Sequence, residues 1–160
     1  MRCEVMNKKY EFTDETIEFG GRTLHRIRTA RDFGNIKKGE LGGFIEKEEN
    51  LSHNGNAWVC DNAWVYGDAC VYGDARVYGN AQVYRTAQYM VIGPIGSRND
   101  FTTFCHDKEN EITVKCGCFN GKIDDFLKAV EKKHGDSKHG RAYRLAAELA
   151  RAQVELEVEE

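Results

Sequence analysis

Basic side chains gather at two breaks in the C-terminal part of this 160-residue chain. Ser97 and Arg98 lie in a glycine-flanked loop, and His134, Lys138 and Arg141 surround a break that precedes a helical pattern. Free N–H groups at a helix N-terminus, beside Arg and Lys side chains, suit a phosphate or another small anion. These residues therefore predict an anion-binding site. A solvated basic loop is the alternative, because runs of charge usually face water.

A second group of side chains has the chemistry of a metal site. Cys105 and His106 fall on one predicted strand and Cys116 and Cys118 on the next, so a hairpin could bring three sulfurs together. Zinc sites prefer two to four residues between paired cysteines, whereas one glycine separates this pair. Free cysteine is also among the most buried residue types. We predict no metal and no cofactor, and leave open whether Cys105, Cys116 and Cys118 bind a metal.

The segment over residues 56–90, which must support these groups, repeats every six residues. Ala recurs at positions 57, 63, 69, 75, 81 and 87, and Val at positions 59, 65, 71, 77 and 83. Helical faces recur at three, four or seven residues, so this period indicates a parallel β-helix. Ala and Val lie two apart and therefore share the inner face of each strand. A coil of roughly 18 residues, with three sides, places Trp58 over Arg76 and Val59 over Val77.

The side chains that alternate with Ala and Val point outwards and are unusually aromatic. They include Trp58, Trp64, Tyr66, Tyr72, Tyr78 and Tyr84. Exposed patches of this kind usually mark interfaces. We therefore expect these faces to be covered either by flanking segments or by further copies of the chain, in a homotrimer or another small homo-oligomer.

The V-x-G-[DN]-A-x pattern resembles the hexapeptide repeat of left-handed β-helix proteins, a superfamily of trimeric acyltransferases and their non-enzymatic relatives. With its flanks, LGGFIEKEENLS before the repeat and GPIGSRND after it, the chain is similar to small hexapeptide-repeat proteins of bacteriophages and prophages. The resemblance implies left-handed winding, which spacing alone does not show, and a phage protein that acts in the host cytoplasm. The regular repeat supplies only about two coils, which is short for a transferase of that superfamily.

Three functions are weighed on this basis. The leading hypothesis is a non-catalytic, phage-type binding protein that holds a small anionic or nucleotide-like ligand, or docks on a host protein in counter-defence. The second is an acyltransferase that uses acyl-CoA. The resemblance implies a histidine base at a subunit cleft, and His53 is the histidine next to the regular repeat; an exposed or capping histidine is the alternative. The third is a structural protein whose coils assemble end to end.

Composition narrows the remaining classes. The net charge of −3 argues against a general nucleic-acid binder. No apolar run approaches the roughly 20 residues of a membrane span. The first 12 residues lack the apolar core of a signal peptide. These features predict a cytoplasmic protein without a membrane partner.

The patterns divide a mainly β chain into three parts. Residues 1–21 are predicted to form an N-terminal β-hairpin or cap, residues 22–96 a short left-handed parallel β-helix, and residues 97–160 a C-terminal ββαα unit. Irregularly spaced apolar residues before the regular units indicate degenerate coils that cap the open end of the β-helix.

Local patterns add detail to this outline. Alternation over residues 8–28 predicts a hairpin that turns at residues 14–16. Residues 93–100, with the single proline, are predicted to form a turn-rich linker. The C-terminal unit is predicted to have strands at 101–106 and 111–116, a tight connection at 117–121, and helices at 122–135 and 137–160.

Overall fold

The structure, a computed structural model, describes residues 8–158. Strands account for 40% and helices for 23%, which confirms the predicted mainly β class. The first seven residues of the predicted N-terminal hairpin or cap, which include Cys3, lie outside the described residues. None of the helices between residues 8 and 158 is long and apolar enough to cross a membrane.

The chain begins with a β-hairpin of two long strands, β1 (Tyr10–Phe19) and β2 (Arg22–Thr29). The predicted turn at residues 14–16 is wrong, because β1 runs through that segment with a shift of register between Phe12 and Thr16. The chain turns instead at Gly20 and Gly21, whose φ angles of 57° and 80° suit residues without a Cβ atom. β2 therefore belongs to the hairpin and not to the repeat segment.

Five short strands form a parallel stack that contains the repeat. In chain order they are β3 (Leu41–Ile45), β4 (Trp58–Val59), β5 (Trp64–Val65), β6 (Arg76–Val77) and β7 (Gln82–Val83). β4 pairs with β6 so that Trp58 lies opposite Arg76 and Val59 opposite Val77, which confirms the predicted 18-residue offset. β5 pairs with β7 at the same offset. The hairpin joins this stack through an antiparallel pair between β2 and β3, so the larger sheet is mixed.

The inward face of the stack is the first hydrophobic core. The five alanines from position 57 to 81 and the five valines from 59 to 83 are each no more than 2% exposed. This confirms that the two apolar positions of each unit point to a common interior. A short 3₁₀ helix lies on either side of the regular units, at Glu48–Asn50 and at Thr86–Gln88.

The outward aromatic faces are covered largely by the flanking segments of the same chain. Trp58 is fully buried, with its ring centre 6.4 Å from that of Tyr10 and 5.4 Å from that of Phe33. Tyr66 is also buried and stacks on Tyr84 at 5.3 Å, as an 18-residue offset predicts. The outward positions are therefore not equivalent, because neighbouring segments cover some of them and leave others in solvent.

A four-stranded antiparallel sheet follows the stack. Its strands are β8 (Tyr89–Ile95), β9 (Asp100–His106), β10 (Ile112–Cys116) and β11 (Phe119–Lys122), in the spatial order β11-β10-β9-β8. The predicted unit was wrong in having only two strands. β8 includes the first three residues of the predicted linker, and β11 takes up the last three residues of the predicted tight connection. The sheet attaches to the stack through a bridge between Ala81 and Asp107 and a hydrogen bond from the Arg76 N–H to Thr103 Oγ1, at 3.0 Å.

Two helices cover this sheet and form the second core with it. α1 (Ile123–His134) buries Ile123, Phe126 and Val130, which recur at helical spacing. Acidic residues in its first turn and basic residues in its last turn favour the helix by charge. α2 (Lys138–Gln153) begins at Ser137, whose hydroxyl accepts a hydrogen bond from the Gly140 N–H at 3.3 Å. α2 ends at Gln153, whereas the sequence predicted a helix over residues 137–160.

Candidate anion-binding site

The turn between β8 and β9 presents Ser97 and Arg98. It is closed by a hydrogen bond of 3.1 Å from the Asn99 N–H to the Gly96 carbonyl. Gly96 packs against Tyr143 of α2 so closely that a Cβ atom there would lie 1.7 Å from the phenol oxygen. The turn is thus held against the second helix, and its two central side chains extend beside that contact.

A cavity of about 200 Å³ lies between this turn, the β10–β11 connection and α1. We call it the aromatic pocket. It is lined by Ser97, Arg98, Asp100, Cys116, Gly117, Cys118, Phe119, Phe126, Ala129, Val130, Lys133, His134 and Tyr143. Three of the five predicted anion-site residues are therefore brought together in one cavity.

The floor of the aromatic pocket is a cluster of rings. Phe126 is buried, with its ring centre 5.6 Å from that of Phe119 and 5.7 Å from that of Tyr143. His134, at the end of α1, lies 5.5 Å from Tyr143. Aromatic rings at these separations and tilts pack favourably, and they supply the apolar part of the pocket lining.

The positive charges at the rim come from Arg98 and Lys133. Within residues 8–158, neither side chain makes a hydrogen bond or an ion pair. The Arg98 guanidinium lies over Gly117, where a Cβ atom would come within 3.1 Å of Nη1. Asp100 is the single carboxylate among the lining residues, and one of its oxygens accepts a hydrogen bond from the Phe101 N–H at 2.8 Å. The rim therefore has a net positive charge.

Two titratable groups of the pocket are neutral near pH 7. Burial, and then the neighbouring Cys116 thiol, raise the pKa of Tyr143 to about 12, so the phenol keeps its proton. Desolvation, together with repulsion from Lys133 and His139, lowers the pKa of His134. Each group can thus bond to a ligand without adding charge, and the positive charge stays with Arg98 and Lys133.

Lys138 and Arg141, the other two predicted residues, do not line the pocket. Lys138 is exposed at the start of α2. Arg141 donates a hydrogen bond of 2.6 Å to the Asp136 carbonyl and so closes the loop between the helices. The sequence interpretation instead missed Lys133 and Tyr143. The run of basic residues that ends at His134 was a signal for Lys133, whereas the position of Tyr143 depends on how α2 crosses the sheet.

His53 is held by the segment that precedes β1. Its Nδ1 accepts a hydrogen bond of 3.0 Å from the Lys9 N–H, so Nε2 carries the proton and donates to Glu48 Oε1 at 3.0 Å. The imidazole also stacks on Tyr10, with ring centres 4.1 Å apart. In this arrangement neither ring nitrogen is available to take a proton from a substrate, and His53 fastens the hairpin to the stack.

The cysteines considered for a metal lie in two different environments. Cys105 is buried in the first core, whereas Cys116 and Cys118 lie at the aromatic pocket. Over residues 8–158 there is no group of three or more His, Cys, Asp or Glu side chains that could hold a metal ion.

Compared with known proteins, the chain matches no family model and no curated protein.

Proposed function

We propose that this chain is a non-catalytic binding protein for a small ligand that joins an anionic group, such as phosphate, to a flat apolar ring, as nucleotides do. The observation that carries this proposal is the position of Arg98 and Lys133. Both are unpaired within the described chain, and both stand at the rim of a cavity with an aromatic floor. Binding of an anion to these two side chains costs no free energy for breaking an existing ion pair.

The two parts of the pocket suit the two parts of such a ligand. Charge-assisted hydrogen bonds from Arg are short and strong, and its fork geometry matches phosphate. The rings of Phe119 and Phe126 bury apolar area of a stacked group, at roughly 25 cal/mol per Å². A volume of about 200 Å³ is below that of most drug-sized ligand sites, so it suits one ring and one phosphate.

Isothermal titration calorimetry with phenyl phosphate and adenosine 5′-monophosphate tests this proposal. Phenyl phosphate carries both features in their simplest form, and inorganic phosphate is the probe without a ring. We expect phenyl phosphate to bind more tightly than inorganic phosphate. Arg98→Gln and Lys133→Gln should each weaken phenyl phosphate by about tenfold or more, the effect of losing one hydrogen bond to a charged group.

Lys132→Gln provides the matched control. Lys132 is the exposed neighbour of Lys133 on α1, lies outside the pocket lining and loses the same charge on substitution. If long-range electrostatics alone attracted the ligand, the Lys132 and Lys133 variants would lose equal affinity for phenyl phosphate. If the Lys133 side chain contacts the ligand directly, only Lys133→Gln loses affinity. Equal losses in the two variants, or no binding of either phosphate ester by the native protein, would contradict the proposal.

We also propose that the parallel stack is a short left-handed β-helix and that it serves as the rigid base of the site. The 18-residue pairing offset and the buried columns of Ala and Val support three-sided coils. A crystal structure would test the direction of winding. Right-handed coils would exclude this part of the proposal without affecting the aromatic pocket.

Self-association into a homotrimer or another small homo-oligomer remains part of the proposal. Tyr72 on the stack and Leu145 on α2 are 57% and 65% exposed in the single chain. Burial of apolar side chains of this size against a second copy of the chain stabilises the oligomer. Native mass spectrometry measures the number of subunits, and a monomer at micromolar concentration would contradict this assignment.

A further inference from the structure

A second cavity, of about 360 Å³, adjoins the aromatic pocket. We call it the polar cleft. Six of its lining residues are Asn35, Asn56, Asp74, Arg76, Tyr78 and Lys115. It shares Asp100 and Gly117 with the aromatic pocket, so the two cavities meet where β9 begins and β10 ends. A ligand anchored on Arg98 therefore has room to extend from one cavity into the other.

The cations of the polar cleft already have partners. Arg76 Nη1 donates to Asn35 Oδ1 at 3.2 Å. Lys115 Nζ donates to the Gly117 carbonyl at 2.6 Å and lies 4.5 Å from the centre of the Tyr78 ring. Asp74 and Asp100 balance their charges. The polar cleft thus gives no preference for a net charge, in contrast to the rim of the aromatic pocket.

The groups without partners in the polar cleft are suited to hydroxyls. Within the described range, the Asp74 carboxylate and the Asn56 side-chain amide make no hydrogen bond. A carboxylate only accepts, an amide both accepts and donates, and a hydroxyl matches either. Phe101, which is exposed at the same cleft, offers an apolar surface to the C–H face of a sugar ring.

We infer that the polar cleft binds the hydroxyl groups of a sugar whose phosphate lies on Arg98 in the aromatic pocket. This inference rests on the proposed function and specifies its ligand class as sugar phosphates, which include the ribose phosphate of nucleotides. The sugar hydroxyls donate to Asp74 and exchange hydrogen bonds with Asn56. The phosphate stays at the shared edge between the cavities.

Calorimetry with ribose 5-phosphate and phenyl phosphate tests the inference, because only the first has a sugar. We expect Asp74→Ala and Asn56→Ala to weaken ribose 5-phosphate by about tenfold and a few-fold respectively, and to leave phenyl phosphate unchanged. Asp68→Ala is the matched control, since Asp68 precedes Ala69 in the previous unit as Asp74 precedes Ala75, and it lines neither cavity. It should bind both probes like the native protein.

The possible failures separate the two claims. If phenyl phosphate binds through Arg98 but ribose 5-phosphate does not bind, or binds equally to native protein and both cleft variants, the sugar inference is overturned and the proposed function stands. If no phosphate ester binds the native protein, the proposed function itself fails. Should Asp74→Ala unfold, the Asn56→Ala variant decides the question alone, because the Asn56 side chain is exposed and its amide makes no hydrogen bond within the described residues.

Discussion

Gly96 and Tyr143 are in direct contact, and this contact joins the β8–β9 turn to α2. A Cβ atom at position 96 would lie 1.7 Å from the phenol oxygen and 2.4 Å from Cζ, far inside any real contact. The φ angle of +81° at Gly96 is a second constraint, because side chains rarely adopt that conformation. The position of Arg98 therefore depends on a glycine two residues earlier.

The first prediction concerns this contact. Gly96→Ala should lower the free energy of unfolding by about 3 kcal/mol, because overpacking and an unfavourable φ angle add together. Gly20→Ala is the control: Gly20 has a φ of +57° but nothing within 4 Å of a Cβ atom, so only the conformational cost of about 1 kcal/mol remains. Urea denaturation measures both, and equal losses would show that the Tyr143 contact is relaxed at no cost.

The second prediction tests the cover over the stack. In β3, a Cβ atom on Gly42 would lie 2.6 Å from Trp58 Cζ2 and 2.7 Å from the Val59 carbonyl oxygen. Gly42→Ala should therefore destabilise the protein by about 1–3 kcal/mol, as overpacked core variants do. Leu41→Ala on the same strand, where the side chain is 56% exposed, should change stability by about 0.5 kcal/mol or less. Tryptophan fluorescence follows the unfolding, and no loss in Gly42→Ala would contradict the packing of Trp58.

The repeat was predictable because the same short pattern of residues recurs in five successive units. Ala and Val at fixed positions specify one inward face, and the period specifies which residues pair, such as Val59 with Val77. β8 and β11 were not predictable in the same way. The first contains Gly93 and Pro94, the second is short and polar, and both exist because neighbouring strands offer backbone partners.

The site was predictable in part for a related reason. Arg98 and His134 stand out by residue type and loop position, and they do line one cavity. Phe126 and Tyr143 have the spacing of ordinary core residues, so only the packing of two helices on the sheet turns them into a pocket floor. Lys138 and Arg141 are basic like the residues of the site, but they lie in the first turn of α2 and do not line the pocket. Residue type alone does not show on which side of the pocket a basic side chain lies.

The third prediction concerns pH and Lys9. Its Nζ donates to the Ala57 carbonyl at 2.6 Å and lies 4.9 Å from the Phe33 ring centre. Burial, with repulsion from Arg31 and Arg76, lowers the pKa of Lys9 to about 8. Between pH 8 and the unfolded value near 10.5 the unfolded chain binds more protons at this site, so the contribution of Lys9 to stability rises with pH.

This effect is measured as a difference between variants. Relative to Lys9→Met, the native protein should gain up to about 3 kcal/mol in unfolding free energy as the pH rises from 7 to 10.5. Lys8→Met removes an exposed lysine that pairs with Glu48 but keeps Lys9, so its unfolding free energy should follow the pH dependence of the native protein over that range. Urea denaturation at several pH values gives both curves. If the native and Lys9→Met curves run parallel, the ammonium of Lys9 is not buried in the folded protein.

The fourth prediction uses the cysteines as reporters of ligand binding. Cys118 is exposed at the aromatic pocket, Cys70 is exposed outside it, and Cys105 is buried, which raises the pKa of its thiol far above the usual value. Iodoacetamide should therefore modify Cys118 and Cys70 in the folded protein and leave Cys105 intact, because the thiolate is the reactive form. Timed alkylation and peptide mass spectrometry measure each rate separately.

Bound ligand should then distinguish the two exposed thiols. Phenyl phosphate at ten times its dissociation constant occupies most of the sites, so alkylation of Cys118 should slow by about tenfold while Cys70 reacts at its original rate. Arg98→Gln at the same ligand concentration should restore much of the Cys118 rate, because occupancy falls with affinity. Equal slowing of Cys118 and Cys70 would indicate a general effect of the ester on the reagent or the fold. Unchanged rates at both cysteines, with calorimetric binding intact, would place the ligand outside the aromatic pocket.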